Sequence, residues 1–193
     1  MAHITSIGAG MYSDLSVSVA KAVVGTEPLT LDQSGFDAMF DTDAEYDRIT
    51  NVREFPAMGT PPNVVNVPVY GQATSQQIQG QSDAPSMEIQ LNYVADDWAD
   101  GSDLGDMVGD GVQRVFRFTL LNSKPPGFSS TSGASGLGGS TGSGTATENS
   151  FYHWIGKVEA LQVTPQLTDA NTATVTITIQ SDFFGAYTIA TAA

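Results

Sequence analysis

Two stretches of this chain alternate with a period of two, and that pattern constrains the fold more than anything else in it. From Met87 to Tyr93, apolar Met87, Ile89, Leu91 and Tyr93 alternate with Glu88, Gln90 and Asn92; from Thr174 to Gln180, Val175, Ile177 and Ile179 alternate with Thr174, Thr176, Thr178 and Gln180. Each is a half-buried strand with one dry and one wet face. The wet faces carry amides, hydroxyls and one carboxylate but no Lys or Arg. The pattern points to a structural surface rather than an active site.

With 193 residues and 40% hydrophobic content, the chain can bury one large all-β core, read here as one domain over residues 1–193. Seven Lys and Arg against 21 Asp and Glu leave a formal charge of -14. That balance argues against phosphate-backbone binding, which draws its affinity from cations, and most of the acids are expected to be solvated. There is no cysteine, so disulfides and thiolate metal sites are excluded. The N-terminal residues lack a basic leader, and no apolar run approaches the roughly 18 residues of a membrane helix. The expectation is a protein made and used without crossing a membrane by the secretory route.

Along the chain, Leu15 to Val24 reads as a strand behind an N-terminal arm. Thr26 to Asp47 reads as an acidic loop around Phe36, Met39 and Phe40, aromatics and a thioether that either plug a core or anchor a partner subunit. Ile49 to Phe55 reads as a strand, and prolines at 56, 61, 62 and 68 make the next stretch turn, edge strand or projecting loop. Gln72 to Gln81, rich in Gln and Ser, continues it. Between Ala95 and Gly111 the period turns helical, with Trp98, Leu104, Met107 and Val108 on one side and Asp96 or Ser102 as the cap. Four glycines weaken that helix. Arg114 to Leu121 is a strand, and 125–149 is a flexible Gly/Ser-rich loop. Phe151 to Val163 and Thr172 to Gln180 form a hairpin turning at Thr168 to Asn171.

Few constellations carry chemistry. DDWADGSDLGDM can be laid on a calcium loop with Gly101 at the sixth place, but Trp98 occupies the third and Met107 the twelfth, where a bidentate Glu belongs. His3 and His153 are too isolated to make a two-histidine metal site. No serine lies in a nucleophile elbow, and GASGLGG and GSTGSG lack the Lys-Ser/Thr of a phosphate loop. The residues nominate no catalytic, cofactor or metal site, and we expect no enzyme.

Taken in order, ITNVREFPAMGTPPNVVNVPVYGQATSQQIQGQSDAPSMEIQLNYVADD, the short acidic helix, RVFRFTLL, WIGKVEALQVTPQL and TATVTITIQSDFFG resemble the major tail tube proteins of long-tailed, non-contractile bacteriophages (siphophages), over about residues 45–185. The Gly/Ser-rich 125–149 departs from the pattern by its length. The resemblance implies a mainly β fold, a β-sandwich or barrel with one short flanking helix, assembling into hexameric rings that stack as a hollow virion tube. It implies a stacking loop over 37–81 and arms at 1–12 and 185–193. The implied partners are the chain itself, the tape measure, tail terminator and baseplate or tip proteins, and phage DNA in transit without specific binding. The implied location is the phage tail, assembled in the host cytoplasm.

On that basis Glu88, Gln90, Asn92, Thr174, Thr176, Thr178 and Gln180 are expected to line the lumen, offering passing DNA no cation. Phe36, Phe40, Asp41, Asp43, Arg48, Arg53, Arg114 and Arg117 are expected at contacts between subunits or rings, the arginines paired with acids. A barrel shared between subunits also removes sheet edges that would otherwise aggregate. Tubes of contractile tails and secretion systems share the architecture. The competing reading is a calcium- or glycan-binding β-sandwich module, favoured if the Asp96 to Asp110 acids bind metal; an enzyme is third.

Overall fold

The structure is a computed structural model that describes residues 13–21, 23–24, 27–28, 31–40, 45–59, 62–71, 73–82, 86–120 and 150–187. In chain order the strands and helices are β1 (Asp14–Lys21), β2 (Val23–Val24), β3 (Glu27–Pro28), helix α1 (Gln33–Asp37) with a 3-10 turn (Ala38–Phe40), β4 (Tyr46–Arg48) and β5 (Val52–Glu54). Next come β6 (Pro62–Val67), β7 (Gln76–Ser82), β8 (Met87–Asn92) and helix α2 (Asp103–Met107). The chain then runs through β9 (Arg114–Leu120), β10 (Ser150–Thr164), β11 (Thr172–Ile179) and β12 (Phe184–Tyr187). The expected arm over 1–12 and loop over 125–149 lie outside the described residues, as do 188–193 of the expected C-terminal arm. Gly185 to Tyr187 of that arm belong to β12, which pairs with β10.

The main sheet is antiparallel throughout, in the order β4-β1-β9-β10-β11-β8-β5, with β12 beside β10. Its two ends, β4 and β5, are separated in the chain by Ile49, Thr50 and Asn51 alone. Four Cα steps reach at most about 15 Å, whereas a flat sheet of this order would be roughly 29 Å wide at ~4.8 Å per strand. The sheet therefore curls until its ends meet. Ile49 N–H donates to the Leu15 carbonyl at 2.9 Å on one side, and Asn92 N–H donates to the Asn51 carbonyl at 2.9 Å on the other. The bend falls at Asn51, with φ 58°, a left-handed value that Asn tolerates better than most residues. The single strand expected over Ile49 to Phe55 is thus corrected to two short pieces around a corner, each pairing with a different edge.

Curling sends alternate side chains inward. Leu15 and Val17 of β1, Phe116 and Phe118 of β9, Trp154 and Val158 of β10, Ala173, Val175, Ile177 and Ile179 of β11, and Met87, Ile89 and Leu91 of β8 form the main core. Each large apolar side chain buried there stabilises the fold by about 1.5–3 kcal/mol. The helix expected between Ala95 and Gly111 is shorter than its pattern, five residues from Asp103, because glycines flank and interrupt it. Ser102 caps it, its hydroxyl accepting from Gly105 N–H at 3.0 Å, and Trp98, Leu104 and Met107 pack against the main core.

A second cluster lies on the outer face of the same sheet. Phe36, Met39 and Phe40 of α1 and the 3-10 turn pack with Tyr46, Val115, Ile155, Phe184 and Tyr187. Residues Val115 to Thr119 of β9 are consequently buried on both faces. The acidic loop expected over Thr26 to Asp47 is corrected here: residues 33–40 form a helical cap, and Phe36 and Phe40 plug a core. β6 and β7 form a separate two-stranded ribbon.

Gly156 marks where β10 passes from its β9 partner to its β11 partner, pairing with both Arg114 and Ile179. A Cβ there would lie 2.7 Å from the Thr178 carbonyl oxygen and 3.2 Å from the Phe116 ring. Gly156→Ala is expected to destabilise the chain by about 1–3 kcal/mol through overpacking, read as a lower urea midpoint with an unchanged slope.

Candidate functional site

Strand β10 shows how the outer face of the sheet is divided. Its outward residues Phe151, His153 and Ile155 lie under or beside the helical cap, and the next one, Lys157, does not. Beyond a register shift between Val158 and Ala160, the outward positions become Ala160, Gln162 and Thr164. Across the ladder, Lys157 faces Thr178, Ala160 faces Thr176, Gln162 faces Thr174 and Thr164 faces Thr172. The next strand sets Glu88, Gln90 and Asn92 beside Thr176, Thr174 and Thr172, and Glu54 of β5 lies beside Gln90. Half the outer face is covered by the chain's own cap, and the other half is a polar surface open to solvent.

The residues expected from the alternating strands, Glu88, Gln90, Asn92, Thr174, Thr176 and Thr178, share this bare face, with Gln180 exposed just past the end of β11. Sequence reasoning missed Glu54, Lys157, Glu159, Ala160, Gln162 and Thr164. The irregularity at Glu159 breaks the period of β10, so its outer face cannot be followed by counting twos; Glu159 Oε1 accepts from Thr178 Oγ1 at 2.9 Å. Among the described residues the carboxylates of Glu54, Glu88 and Glu159 stand against the Lys157 ammonium, with exposed Arg53 beside Glu54 on the edge strand, so the face is weakly acidic.

The expected contact residues are distributed differently. Phe36 and Phe40 are 0% exposed within this one chain, so they have no surface to offer a neighbour. Arg48 is held by Asp14, with Nη2 and Nε at 2.7 and 2.9 Å from Oδ1, on the covered side of the sheet. Arg114 pairs with Asp110 at 2.6 Å and donates to the Val19 carbonyl. Arg117 is buried under the cap, its guanidinium 4.3 Å from the Phe40 ring centroid and 5.0 Å from that of Tyr46. The pairings of Arg48 and Arg114 are internal, and neither Arg114 nor Arg117 lies on the bare face. Arg53 is exposed, and Asp41 and Asp43 lie outside the described residues.

Three of the acids between Asp96 and Asp110 accept hydrogen bonds. Asp97 accepts from Thr50 Oγ1 at 2.9 Å, Asp106 from Gly101 N–H at 2.9 Å, and Asp110 from Val112 N–H at 2.8 Å. Among the described residues no group of three or more His, Asp or Glu side chains is placed to hold a metal ion. Burial, with the nearby charges of Asp103 and then Asp97, pushes the Asp47 carboxyl above its ordinary value.

The β6–β7 ribbon is the second surface of note. Residues 55–82 contain no charged side chain in a chain of net charge -14. Val65 faces Ile78 across the ribbon, 49% and 56% exposed, and Tyr70 in the connecting turn is fully exposed. Apolar side chains this exposed among the described residues make the ribbon a candidate contact surface.

No family model matches the chain, and no curated protein matches it in sequence. Among solved structures it is similar to the SPP1 tail tube, a hybrid structure by solid-state NMR and cryo EM, at 10% identity and a TM-score of 0.47, over 93% of this chain and 80% of that one.

The Asp14–Arg48 pair, with both side chains largely buried, ties β1 to β4. Asp14→Asn is expected to destabilise by about 3–5 kcal/mol, because it leaves a buried guanidinium without its counter-charge, and Asp14→Leu with Arg48→Met should recover most of that loss. Urea titration of the two variants checks both signs.

Proposed function

We propose that this chain is the repeating subunit of the tail tube of a long-tailed, non-contractile bacteriophage. Copies join side by side into a ring, six as the sequence resemblance implies, and rings stack into a hollow tube. The observation that carries this reading is the divided outer face: one curled sheet that caps half of its exterior with its own aromatic residues and leaves the other half polar, threonine-rich and weakly acidic.

Turned toward a bore, that bare face presents hydroxyls, amides and an excess of carboxylates. DNA phosphates gain their protein affinity from cations, so such a wall lets the polymer slide without holding it. Lys157 lies across the ladder from Thr178, which hydrogen-bonds Glu159, so this cation has a carboxylate in its neighbourhood. The β6–β7 ribbon supplies the contact to the adjoining ring. Acidic copies repel one another, and an uncharged segment with exposed Val65, Ile78 and Tyr70 is where they can meet without that penalty. In this role the protein is structural, needs no cofactor and performs no catalysis. Its further partners are the tape measure, tail terminator and baseplate or tip proteins, and its place is the virion tail, assembled in the host cytoplasm.

Negative-stain electron microscopy of the concentrated protein, with and without chelator, tests the proposal. Rings or hollow tubes indifferent to chelator are expected; small particles that loosen in chelator would instead indicate a calcium-binding module. Ile78→Glu with Val65→Glu should abolish stacking while leaving the melting temperature of the unassembled subunit nearly unchanged, since both side chains are about half exposed. Replacing Glu88, Gln90 and Thr176 together by Lys should permit assembly but slow DNA ejection from virions, and normal ejection kinetics would overturn the assignment of this face to the lumen.

A further inference from the structure

Under the helical cap, two nitrogen-bearing side chains lie next to each other. His153 of β10 and Arg117 of β9 are directly opposite across the ladder, both on the covered face and both at most 2% exposed. The His153 ring stacks on Phe36 of the cap, 4.9 Å between centroids and 4° between planes, and lies 5.8 Å from Phe40 and from Tyr187. The Arg117 guanidinium lies against Phe40, Tyr46 and Phe151. Phe40 therefore touches both groups. Neither ring nitrogen of His153 has a hydrogen-bond partner among the described residues.

The charged and titratable groups facing this cluster come from every strand packed there. β9 gives Arg117, β4 gives Tyr46 and Arg48, β12 gives Tyr187, and β1 gives Asp14, whose carboxylate is already gripped by Arg48. The described buried side chains of the cap, Phe36, Met39 and Phe40, are apolar. A neutral imidazole is accommodated in this setting. An imidazolium would lack solvent and would stand beside a guanidinium.

The cap is short. It is one five-residue helix and one 3-10 turn, too short to persist alone, and Phe36, Met39 and Phe40 pack it onto the sheet. Such a segment can open as a unit while the ladder beneath stays paired.

We propose that residues 33–40 form an acid-released latch: protonation of His153 beside Arg117 lifts the cap off the outer face of the sheet without unfolding the strands. The inference concerns the isolated fold and does not depend on the tube reading. Burial first, and the Arg117 charge second, lower the His153 pKa from 6.5 to about 3 while the cap is closed. With the cap open, the imidazole returns toward its ordinary value, so the open form binds the proton more readily. Opening is then favoured as pH falls below about 6.5, roughly tenfold per unit until about pH 3.

The test is hydrogen exchange of the full chain between pH 7 and 4.5, expressed as protection factors so that intrinsic rates cancel, in the wild type and in His153→Phe. Expected is a loss of about 50-fold in protection for residues 31–40 between pH 6.5 and 4.5, with residues 172–179 unchanged and the variant's cap insensitive to pH. A second measurement needs no variant at residue 153: nuclear magnetic resonance titration of the imidazoles, with His3→Asn removing the other signal, should show His153 titrating together with shifts in the cap. Cap protection that ignores pH, that falls equally in His153→Phe, or that falls together with 172–179 would overturn the latch. So would a His153 that titrates near 6.5 while the cap stays still.

Discussion

Three residues, Ile49, Thr50 and Asn51, hold the two ends of a seven-strand order together, and the rest of the structure depends on that short tie. A chain that places β4 and β5 at opposite edges of one sheet, yet only four Cα steps apart, has no flat solution. The curl it enforces creates an inside, where Leu15, Trp154 and Ile177 are sealed, and an outside that must be managed separately. At the corner the Ile49 N–H donates to Leu15 and the Asn51 carbonyl accepts from Asn92, so each side of the tie is bonded to its own edge.

The outside is managed in two ways along a single strand. β10 is continuous for 15 residues, but its outward side chains change from Phe151, His153 and Ile155 to Lys157, Gln162 and Thr164. Where they are apolar the chain supplies its own cover; where they are polar it leaves them wet. Threonine suits the uncovered half because its branched β-carbon favours the strand while its hydroxyl tolerates water. The buried cation of Arg117 lies on the covered half, away from the bare threonine face.

The parts of this fold visible in the sequence are those where period and environment agree. Strands β8 and β11 alternate cleanly because each has one face in the main core and one in water, so they and their wet residues could be read directly. β9 was recognisable as a strand, but its two buried faces conceal which side Arg117 takes. The cap was not legible: Gln33 to Phe40 is too short for a helical period, contains Gly35, and draws its stability from the distant partners Val115, Ile155 and Tyr187. The same holds for Glu159, where a register shift breaks the count of twos, and for the corner at Asn51, where a single residue decides that one apparent strand serves two edges. Non-local packing and local breaks in periodicity are what a linear reading misses.

The β10–β11 hairpin has a mechanical consequence. β10 extends about 50 Å at ~3.3 Å per residue, and β11 is registered against it from Gly156–Ile179 to Thr164–Thr172. The ladder hydrogen bonds lie across the strand axis, so a pull applied along that axis loads many of them at once in shear, whereas a pull across it would open them one after another. A subunit in which this hairpin ran parallel to the long axis of an assembly would resist stretching along that axis far better than peeling from its side.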